Sequence, residues 1–386
     1  MRVWIESPFD NLPQEGFRKQ RFWLMAEAFA RRGHEVVYWT GDFNHIGKTR
    51  RRTVAPEAGG EIDLRIFPVM PYFRNVSVRR VISHRAYARD WLRLARQEGS
   101  VRKPDLIIAS CPTISAAEAA VKLAREFGAK SAIDIMDAWP ETFERLAPSV
   151  LRPLSRIFLS GLKRRVQKVY READVVSGVS ERYRQLCRRD DFHLAYHGME
   201  MIANPVVRRY EPGAQVKLAY VGNLGCGYDL GTVIKGVKLL RGRGVDVTLD
   251  IAGNGPLEAK WRKAASSGVR FHGYMRSDKL SGLLSGCDFG IIPLRDDTWV
   301  GLPYKLGDYI AAGLRVLTSL DGECRELVER HRAGAWYPPG DAQGFADAVL
   351  SVLPEKDYEC GVSALARKLD AKRIYDEYVS IFDIRY

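Results

Sequence analysis

The stretch Gly301-Leu-Pro-Tyr-Lys-Leu-Gly-Asp308-Tyr-Ile-Ala-Ala-Gly313-Leu-Arg-Val-Leu-Thr-Ser319 predicts a loop, a short helix and a strand. Within it, apolar residues recur on one helical face, at Leu306, Tyr309 and Ile310. Gly313 follows where helices commonly end on a left-handed residue. Residues 314–319 then read as a strand. An alternating α/β architecture is the expectation from this order.

Two charged residues, Lys305 and Asp308, are three positions apart near the start of the predicted helix. A helix N-terminus offers unpaired N–H groups and partial positive charge, which suits a diphosphate, and a lysine there adds a full charge. The carboxylate can accept hydrogen bonds from sugar or ribose hydroxyls. The alternative is an amphipathic helix whose two charges are merely solvated.

The phrase from Pro303 to Gly313 resembles the donor-sugar motif of retaining GT-B glycosyltransferases, especially those of family four. The resemblance implies that Tyr304, Lys305 and Asp308 bind the donor and that Asp308 belongs to the catalytic site. The chain departs from the family twice. Asp308 stands in place of the second glutamate of a Glu-x7-Glu pair, and Val300 stands in place of the first.

The composition fits a protein of two domains. The chain has 386 residues, of which 46% are hydrophobic and 28% charged. No apolar run approaches the ~20 residues that span a bilayer, and the first residues read as a strand rather than a signal peptide. The six cysteines form no Cys-x-x-Cys pair, so we expect reduced thiols, a cytoplasmic protein and no metal site.

The net charge of +13 predicts an anionic partner. Basic residues cluster in the first half of the chain, with one cluster at Arg164, Arg165 and Lys168. No stretch resembles a nucleic-acid-binding module, so we do not expect a nucleic-acid partner. We predict that this cluster meets an anionic membrane surface or the acceptor, which would place the protein on the inner face of the plasma membrane. Solvated helix faces are the alternative.

The first 40 residues predict a βαβ unit, with strands over residues 2–7 and 35–40 and a helix over 18–32. The phrase from Leu24 to Val36 is similar to the opening of many GT-B enzymes. In those enzymes the first loop, which here contains Gly16, approaches the donor diphosphate. A turn glycine that touches no ligand is the alternative for Gly16.

Asp137 directly follows a predicted strand over residues 130–136. Residues just past the carboxyl end of a parallel strand face the ligand crevice, so Asp137 is a candidate catalytic residue. An N-cap for the next helix is the alternative. Asp137-Ala-Trp-Pro-Glu141 resembles a phrase of bacterial surface-polysaccharide glycosyltransferases. His197, in a His-Gly turn, is a second candidate, although such a histidine is as often simple turn chemistry.

The second half repeats the pattern of strand and glycine-rich loop. A predicted strand over residues 216–222 leads into Gly222, Asn223 and Gly225, and another over 247–252 leads into Gly255 and Pro256. Glycines allow close backbone approach to a phosphate. The Gly-x-Gly-Pro phrase is similar to a GT-B signature, which implies donor binding by these residues. Cys226 stands where family four often has a lysine, so Lys305 is the expected replacement.

Together these features predict an α/β protein with two Rossmann-like parallel-sheet domains that face a cleft. We assign residues 1–203 to the acceptor domain, 204–370 to the nucleotide-sugar domain, and 371–386 to a helix that crosses back to the first domain.

The resemblance implies metal-independent transfer of a sugar, without a cofactor, from a UDP- or GDP-sugar of undetermined base to a glycan or lipid-linked acceptor in surface-polysaccharide or glycoconjugate synthesis. Retention is favoured. The alternatives are inversion with Asp137 as base, a nucleotide-sugar 2-epimerase and a basic nucleic-acid binder.

Overall fold

The computed structural model describes residues 1–383 except 16, 52–60, 76, 147–151, 202–210, 212, 297, 299 and 354–357. The chain divides into two compact units. Unit 1 consists of Met1–Tyr196 and Ile374–Tyr386, and unit 2 of His197–Arg373. The predicted linker around Asn204 and Pro205 lies outside the described residues.

Unit 1 is a parallel α/β sheet unit, as predicted. Its elements up to residue 194 are, in chain order, β1 (Arg2–Glu6), α1 (Arg21–Arg31), β2 (Glu35–Gly41), β3 (Phe43–Asn44), β4 (Thr49–Arg50), β5 (Ile62–Phe67), α2 (Val78–Val101), β6 (Leu106–Cys111), α3 (Ile114–Phe127), β7 (Lys130–Ile135), α4 (Glu141–Leu146), α5 (Arg152–Glu172), β8 (Val175–Gly178), α6 (Arg182–Cys187) and β9 (His193–Leu194). The sheet order is β5-β2-β1-β6-β7-β8-β9, and its strands pair in parallel. The order reverses between β1 and β6, where α/β sheets form their ligand crevice.

Two helices of unit 1 differ from the sequence prediction. Helix α1 begins at Arg21 rather than at Arg18, and the Asp10 carboxylate accepts a hydrogen bond from the Phe22 N–H in its first turn. The sequence predicts a helix only around residues 87–97, whereas helix α2 spans Val78–Val101 and so begins nine residues earlier. Its first turns present exposed apolar side chains, so the periodicity of a buried face begins only later along the helix.

A buried ion pair links distant parts of unit 1. The Arg21 guanidinium donates from Nε and Nη2 to both carboxylate oxygens of Asp134, at 2.8 and 2.7 Å, and both side chains are fully buried. Arg21 Nη1 also donates to the carbonyls of Ala195 and Tyr196, and Ser177 donates to Asp134. The pair therefore holds α1 and the end of unit 1's first segment on the central sheet.

Unit 2 repeats the architecture, also as predicted. Its elements are β10 (Val216–Val221), α7 (Leu230–Gly242), β11 (Val247–Ala252), α8 (Glu258–Ala264), β12 (Val269–Gly273), α9 (Ser277–Ser285), β13 (Phe289–Ile292), α10 (Tyr304–Ala311), β14 (Arg315–Thr318), α11 (Glu323–Arg330), β15 (Gly334–Trp336), α12 (Ala342–Val352) and α13 (Tyr358–Lys368). The parallel sheet has the order β12-β11-β10-β13-β14-β15. It reverses between β10 and β13, so the loops after these strands border the crevice.

The stretch from Gly301 to Ser319 folds as predicted. Helix α10 is followed by Gly313 in the left-handed conformation, with φ of 79°, and then by β14. Tyr309 packs directly on Gly290 of β13, where an added Cβ would lie 2.0 Å from the tyrosine ring. The Tyr309 hydroxyl accepts a hydrogen bond from the Val221 N–H and so fixes α10 against the end of β10.

The last helix, α14 (Ala371–Asp383), contributes to unit 1 from Ile374 onward. Its Asp376 pairs with Arg31 at 2.9 Å, Asp383 pairs with Arg32, and Phe382 packs on Phe29 at 5.8 Å between ring centroids. Among the described residues, no helix combines the length and the apolar character needed to cross a bilayer.

Candidate functional site

Lys305 lies at the second position of α10, against the loop that follows β10. Its Nζ atom would lie only 2.4 Å from a Cβ added to Gly222, whose φ is 136°. The ammonium donates to the Tyr228 hydroxyl at 3.3 Å and lies 4.3 Å from the centre of that ring and 5.4 Å from the centre of the Tyr220 ring. Two aromatic rings and a glycine thus hold the cation at the carboxyl edge of the unit 2 sheet.

The glycine loops after β10 and β11 pack backbone against backbone. A Cβ on Gly253, with φ of 136°, would lie 1.9 Å from the Gly222 carbonyl oxygen, and one on Gly255 would lie 2.6 Å from the Leu224 backbone. The Leu224 N–H donates to the Asn254 carbonyl, and the Leu257 N–H donates to the Leu224 carbonyl. The predicted donor residues Gly222, Asn223, Gly225, Gly255 and Pro256 therefore lie in two adjoining loops.

Tyr304, His197 and Asp308 also belong to unit 2. The His197 ring stacks on the Tyr304 ring at 3.6 Å between centroids and 26° between planes. Gly307 leaves room for the neighbouring Met199, whose Cγ would be 2.3 Å from an added Cβ. Asp308 is half-buried one turn along α10 from Lys305. His197 thus lies against the first residue of α10, a contact that the simple turn alternative does not require.

Two further positions of the predicted donor site are Gly16 and Val300. Gly16 lies outside the described residues. Val300 has an aliphatic side chain directly before the loop to α10, so it offers no carboxylate where family four has its first glutamate. Asp308 is accordingly the acidic residue that the quoted motif itself contributes.

Asp137 lies just past β7, at the carboxyl edge of the unit 1 sheet. Helix α4 begins four residues later, at Glu141, so the N-cap alternative for Asp137 is wrong. The carboxylate reaches solvent, yet the surrounding protein desolvates it enough to raise its pKa to about 6, against a smaller opposing effect of Arg80. A carboxylate that is reached by solvent and remains weakly basic near neutral pH can accept a proton.

An aromatic and basic cluster lies beside Asp137, and the sequence prediction missed it. The His84 ring stacks on Trp139, with centroids 5.8 Å apart, and also contacts Phe9 and Tyr72. The Arg80 guanidinium lies 5.0 Å from the centre of the Trp139 ring. The sequence shows Arg80 only as one of many basic residues in the first half of the chain. Nothing in local spacing could have placed it beside residues 9 and 139.

Two histidines contact the rings of this cluster, His84 and also His45, which lies against Phe9 and Tyr72. Both are neutral at physiological pH. Burial, helped by neighbouring cations, lowers the pKa of both His45 and His84 to about 3. Their rings therefore provide flat, uncharged surfaces and hydrogen-bonding nitrogens. Aromatic faces bordered by polar groups suit the binding of a sugar or another amphipathic ligand.

The three cations of the predicted membrane cluster on α5, Arg164, Arg165 and Lys168, have different surroundings in the structure. Arg165 is half-buried and pairs with Glu118 through Nε at 2.7 Å, whereas Arg164 and Lys168 are exposed and Lys168 pairs with Glu172 at 3.8 Å on the same helix. Arg164 and Lys168 line an open groove of about 770 Å³ together with Lys163, Gln167, Arg171, Cys187, Arg188 and Arg189. Leu154, Ile157 and Phe158, on the first turns of the same helix, are exposed apolar side chains. The surface of α5 is therefore both basic and apolar.

Two family models match the chain and together cover most of it. A model described as "Glycosyl transferase 4-like domain" matches residues 19–204, and one described as "Glycosyl transferases group 1" matches residues 215–355. The first contains Asp137 and the α5 cluster, and the second contains the glycine loops and α10.

Curated relatives come from bacterial polysaccharide synthesis. The chain is 26% identical over 159 residues to the amylovoran biosynthesis glycosyltransferase AmsK of Erwinia amylovora, a match covering 39% of each chain. It is 24% identical over 226 residues to the putative colanic acid biosynthesis glycosyltransferase WcaL of Salmonella typhimurium, covering 55% of each. The chain thus spans about half the length or less of these relatives.

Solved structures share the fold over nearly the whole chain. HepE of Anabaena in complex with UDP-glucose superposes with a TM-score of 0.65 over 99% of both chains, at 12% identity. At this identity the likeness establishes a common two-domain fold and nothing about ligands.

Proposed function

The chain belongs to the GT-B glycosyltransferases of the family-four type, and on that premise we propose that it transfers a sugar from a nucleotide-diphosphate donor to an acceptor in the synthesis of a bacterial surface polysaccharide. The donor is assigned to unit 2 and the acceptor to unit 1. AmsK and WcaL, whose names place them in amylovoran and colanic acid biosynthesis, support the class of pathway.

The observation that carries the proposal is the position of Lys305. Its ammonium lies at the start of α10 and against Gly222, beside two loops whose glycines bring their backbones into close contact. A diphosphate bound there would meet a full positive charge, the N–H groups of a helix terminus and close backbone approach. Lys305 thereby takes the role of the lysine that family four often has at the position of Cys226. Because a protein cation neutralises the diphosphate, we expect transfer to persist in EDTA.

Charge separation at the donor defines the chemistry. As the bond from the sugar to the diphosphate breaks, negative charge grows on the diphosphate, and a fixed cation stabilises that state more than the ground state. Asp308 is proposed to accept hydrogen bonds from the sugar or ribose hydroxyls, and His197 to position the sugar through its stack on Tyr304. Retention of configuration is favoured, since the α10 and Gly-x-Gly-Pro phrases match the retaining family.

Inversion is the second candidate, and Asp137 favours it. A base that deprotonates the acceptor hydroxyl must reach solvent and be ionised at the working pH. Asp137 meets both conditions, with a pKa of about 6 and a carboxylate that reaches solvent.

Product stereochemistry separates the two mechanisms. We expect NMR of the product to show the anomeric configuration of the donor, and Asp137→Asn to keep measurable activity. An inverted product, with activity reduced about 10²–10⁴-fold in Asp137→Asn, would establish Asp137 as the base instead.

The donor itself is found by a thermal-shift screen of UDP- and GDP-sugars. A ligand that binds only the folded protein raises the melting temperature by mass action. We expect one nucleotide class to raise it and Lys305→Met to remove the shift. If no nucleotide sugar shifts the wild-type protein, the proposed activity is wrong. Isomerised free donor, rather than a glycosylated acceptor, would indicate an epimerase.

We also propose that α5 lies on an anionic membrane surface, where a lipid-linked acceptor would be found. Exposed Arg164 and Lys168 lie on the same helix as exposed Ile157 and Phe158, so α5 combines the electrostatic and apolar contributions to interfacial binding.

A further inference from the structure

Two cations of unit 1, Lys48 and Arg80, converge on one aromatic ring. Lys48 lies in the turn between β3 and β4, and Arg80 in the first turn of α2. The ammonium of Lys48 is 4.7 Å, and the guanidinium carbon of Arg80 5.6 Å, from the centre of the Tyr72 ring. Burial and the nearby Arg80 charge lower the pKa of Lys48 to about 8. The two positive charges are therefore held close together at a free-energy cost.

The groups that contact these cations are neutral. Lys48 donates to the Asn75 side-chain oxygen at 2.6 Å, and Arg80 donates to the Asn75 carbonyl at 2.8 Å. Their other nitrogen partners are His45 and His84, which remain uncharged at neutral pH.

Neither cation has a carboxylate partner within the described part of the chain. Other arginines of α2 do: Arg89 pairs with Asp90, and Arg96 pairs with Glu126. A pair of half-buried cations without an ion-pair partner among the described residues, in a polar and aromatic recess, fits an anion that arrives from outside.

The surroundings of the pair match the acceptor side of the proposed reaction. Arg80 lies over the rings of Phe9 and Trp139 as well as Tyr72. Trp139 is two residues from Asp137, whose charge acts on Arg80 without forming an ion pair with it. An anion on the cations would therefore place the rest of its molecule against aromatic faces and near the candidate base.

We propose that Lys48 and Arg80 form a subsite for a phosphate or diphosphate group of the acceptor. That the ligand is an acceptor rests on the proposed function. The anion site itself does not depend on sugar transfer. An arginine fork and a lysine point charge together suit a group with several oxygens and more than one negative charge. Two sources have this chemistry: a lipid-linked diphosphate and a soluble sugar phosphate.

The first test measures binding of inorganic pyrophosphate by calorimetry. Lys305→Met serves as the background, so that the donor site lacks its cation. In that background we expect saturable binding, weakened about 10- to 100-fold by Lys48→Gln or Arg80→Gln, because a hydrogen bond to a charged group is worth ~1.5–3 kcal/mol.

The matched control is Arg85→Gln. Arg85 is exposed on the same helix and has no ion-pair partner among the described residues. We expect it to change the dissociation constant by less than about twofold, since an exposed charge acts only through screened attraction. Arg80 also packs on three rings, so Lys48→Gln, with an unchanged melting temperature, is the decisive variant.

The second test distinguishes the sources with geranyl diphosphate and glucose 1-phosphate. Tighter binding of the first than of pyrophosphate indicates a lipid acceptor, and tighter binding of the second a sugar phosphate. In either case Lys48→Gln must weaken the binding. Equal affinities in Lys48→Gln, Arg80→Gln and Arg85→Gln, or no binding of any of the three probes, overturn the assignment. The donor screen is unaffected by that result, so this inference and the proposed activity fail separately.

Discussion

At the scale of single residues, the protein treats its buried ionisable groups in different ways. Arg21 and Asp134 are completely buried and satisfy each other through two hydrogen bonds. Lys305 is held by aromatic rings and a glycine, and Lys48 by neutral polar groups. Glu6, at the end of β1, is completely buried, and burial raises its pKa to about 8. Each arrangement has its own measurable consequence.

Glu6→Gln should flatten the dependence of stability on pH. Between about pH 4.5 and 8 an unfolded Glu6 is ionised, whereas the folded one keeps its proton. The free energy of unfolding therefore falls as pH rises through this range, by up to ~1.4 kcal/mol per pH unit, and the glutamine removes this contribution. Chemical denaturation across the range measures it. His45, His84 and Asp10 titrate in both proteins, so their contribution cancels when one free-energy curve is subtracted from the other. Parallel curves for both proteins would show that Glu6 is ionised in the folded state.

Lys305→Met should remove about 3 kcal/mol of transition-state stabilisation, which is the typical effect of losing one preorganised electrostatic contact. The variant's kcat/KM should fall accordingly. Methionine keeps the length of the side chain against Tyr220 and Tyr228 but removes the charge. Lys260→Met is the matched control, because its ammonium also lies on an aromatic ring, 4.5 Å from the centre of Trp261, without a proposed role. Similar kinetics for both variants would exclude the proposed role of Lys305.

At the scale of elements, the glycine loops after β10 and β11 determine where the donor site lies. Gly222, Gly253 and Gly255 let two backbones approach more closely than any side chain allows. Tyr309 of α10 bonds to the end of β10, so α10 and the loops form one structural group. A displacement in one of these elements is expected to displace Lys305 as well.

Gly255→Ala should impair catalysis more than stability. The added Cβ would lie 2.6 Å from the Leu224 backbone, and the loops must separate to admit it. A shift of about 1 Å in a positioned group can reduce turnover about 100-fold, while overpacking typically costs ~1–3 kcal/mol of stability.

Gly227→Ala is the control in the adjoining loop after β10, because the atom nearest to an added Cβ would be 3.8 Å away. Steady-state kinetics and thermal unfolding of the two variants measure the difference. Equal turnover in both would mean that the contact between the loops does not position the donor.

At the scale of the whole molecule, the basic residues behind the net charge of +13 do not all attract anions equally. Many arginines are already paired with carboxylates, as Arg165 is with Glu118, and contribute little to long-range attraction. The exposed cations of α5 and the Lys48–Arg80 pair are different, since they adjoin apolar or aromatic surface. These two regions are where anionic partners are expected.

Arg164→Glu with Lys168→Glu should release the protein from anionic liposomes. Each basic residue near such a surface contributes about 1 kcal/mol, so loss of two lowers partitioning about 30-fold, and reversal lowers it further. Lys235→Glu with Lys238→Glu, on exposed positions of α7 in unit 2, is the matched control. Cosedimentation at fixed ionic strength measures both. Equal loss in the two double variants would indicate non-specific attraction by net charge.

The sequence alone determined the features that depend on local order. Periodicity and glycine positions gave the two parallel-sheet units, the helix from Tyr304 and the left-handed Gly313, because these depend on neighbours within a few residues. The start of α2 was misjudged, since its first turns expose their apolar side chains and periodicity there carries no signal of burial.

Only the tertiary structure decided which distant side chains meet. Lys48 and Arg80 are 32 positions apart, and Arg21 and Asp134 are 113 apart, yet each pair converges. Parallel strands bring the residues that follow them to one edge of a sheet, but loop paths and packing select the actual neighbours. The same physics makes Arg165 a structural residue and leaves Arg164 exposed, although the two are adjacent in sequence. Helical geometry turns consecutive side chains about 100° apart, so one reaches Glu118 while the other faces solvent.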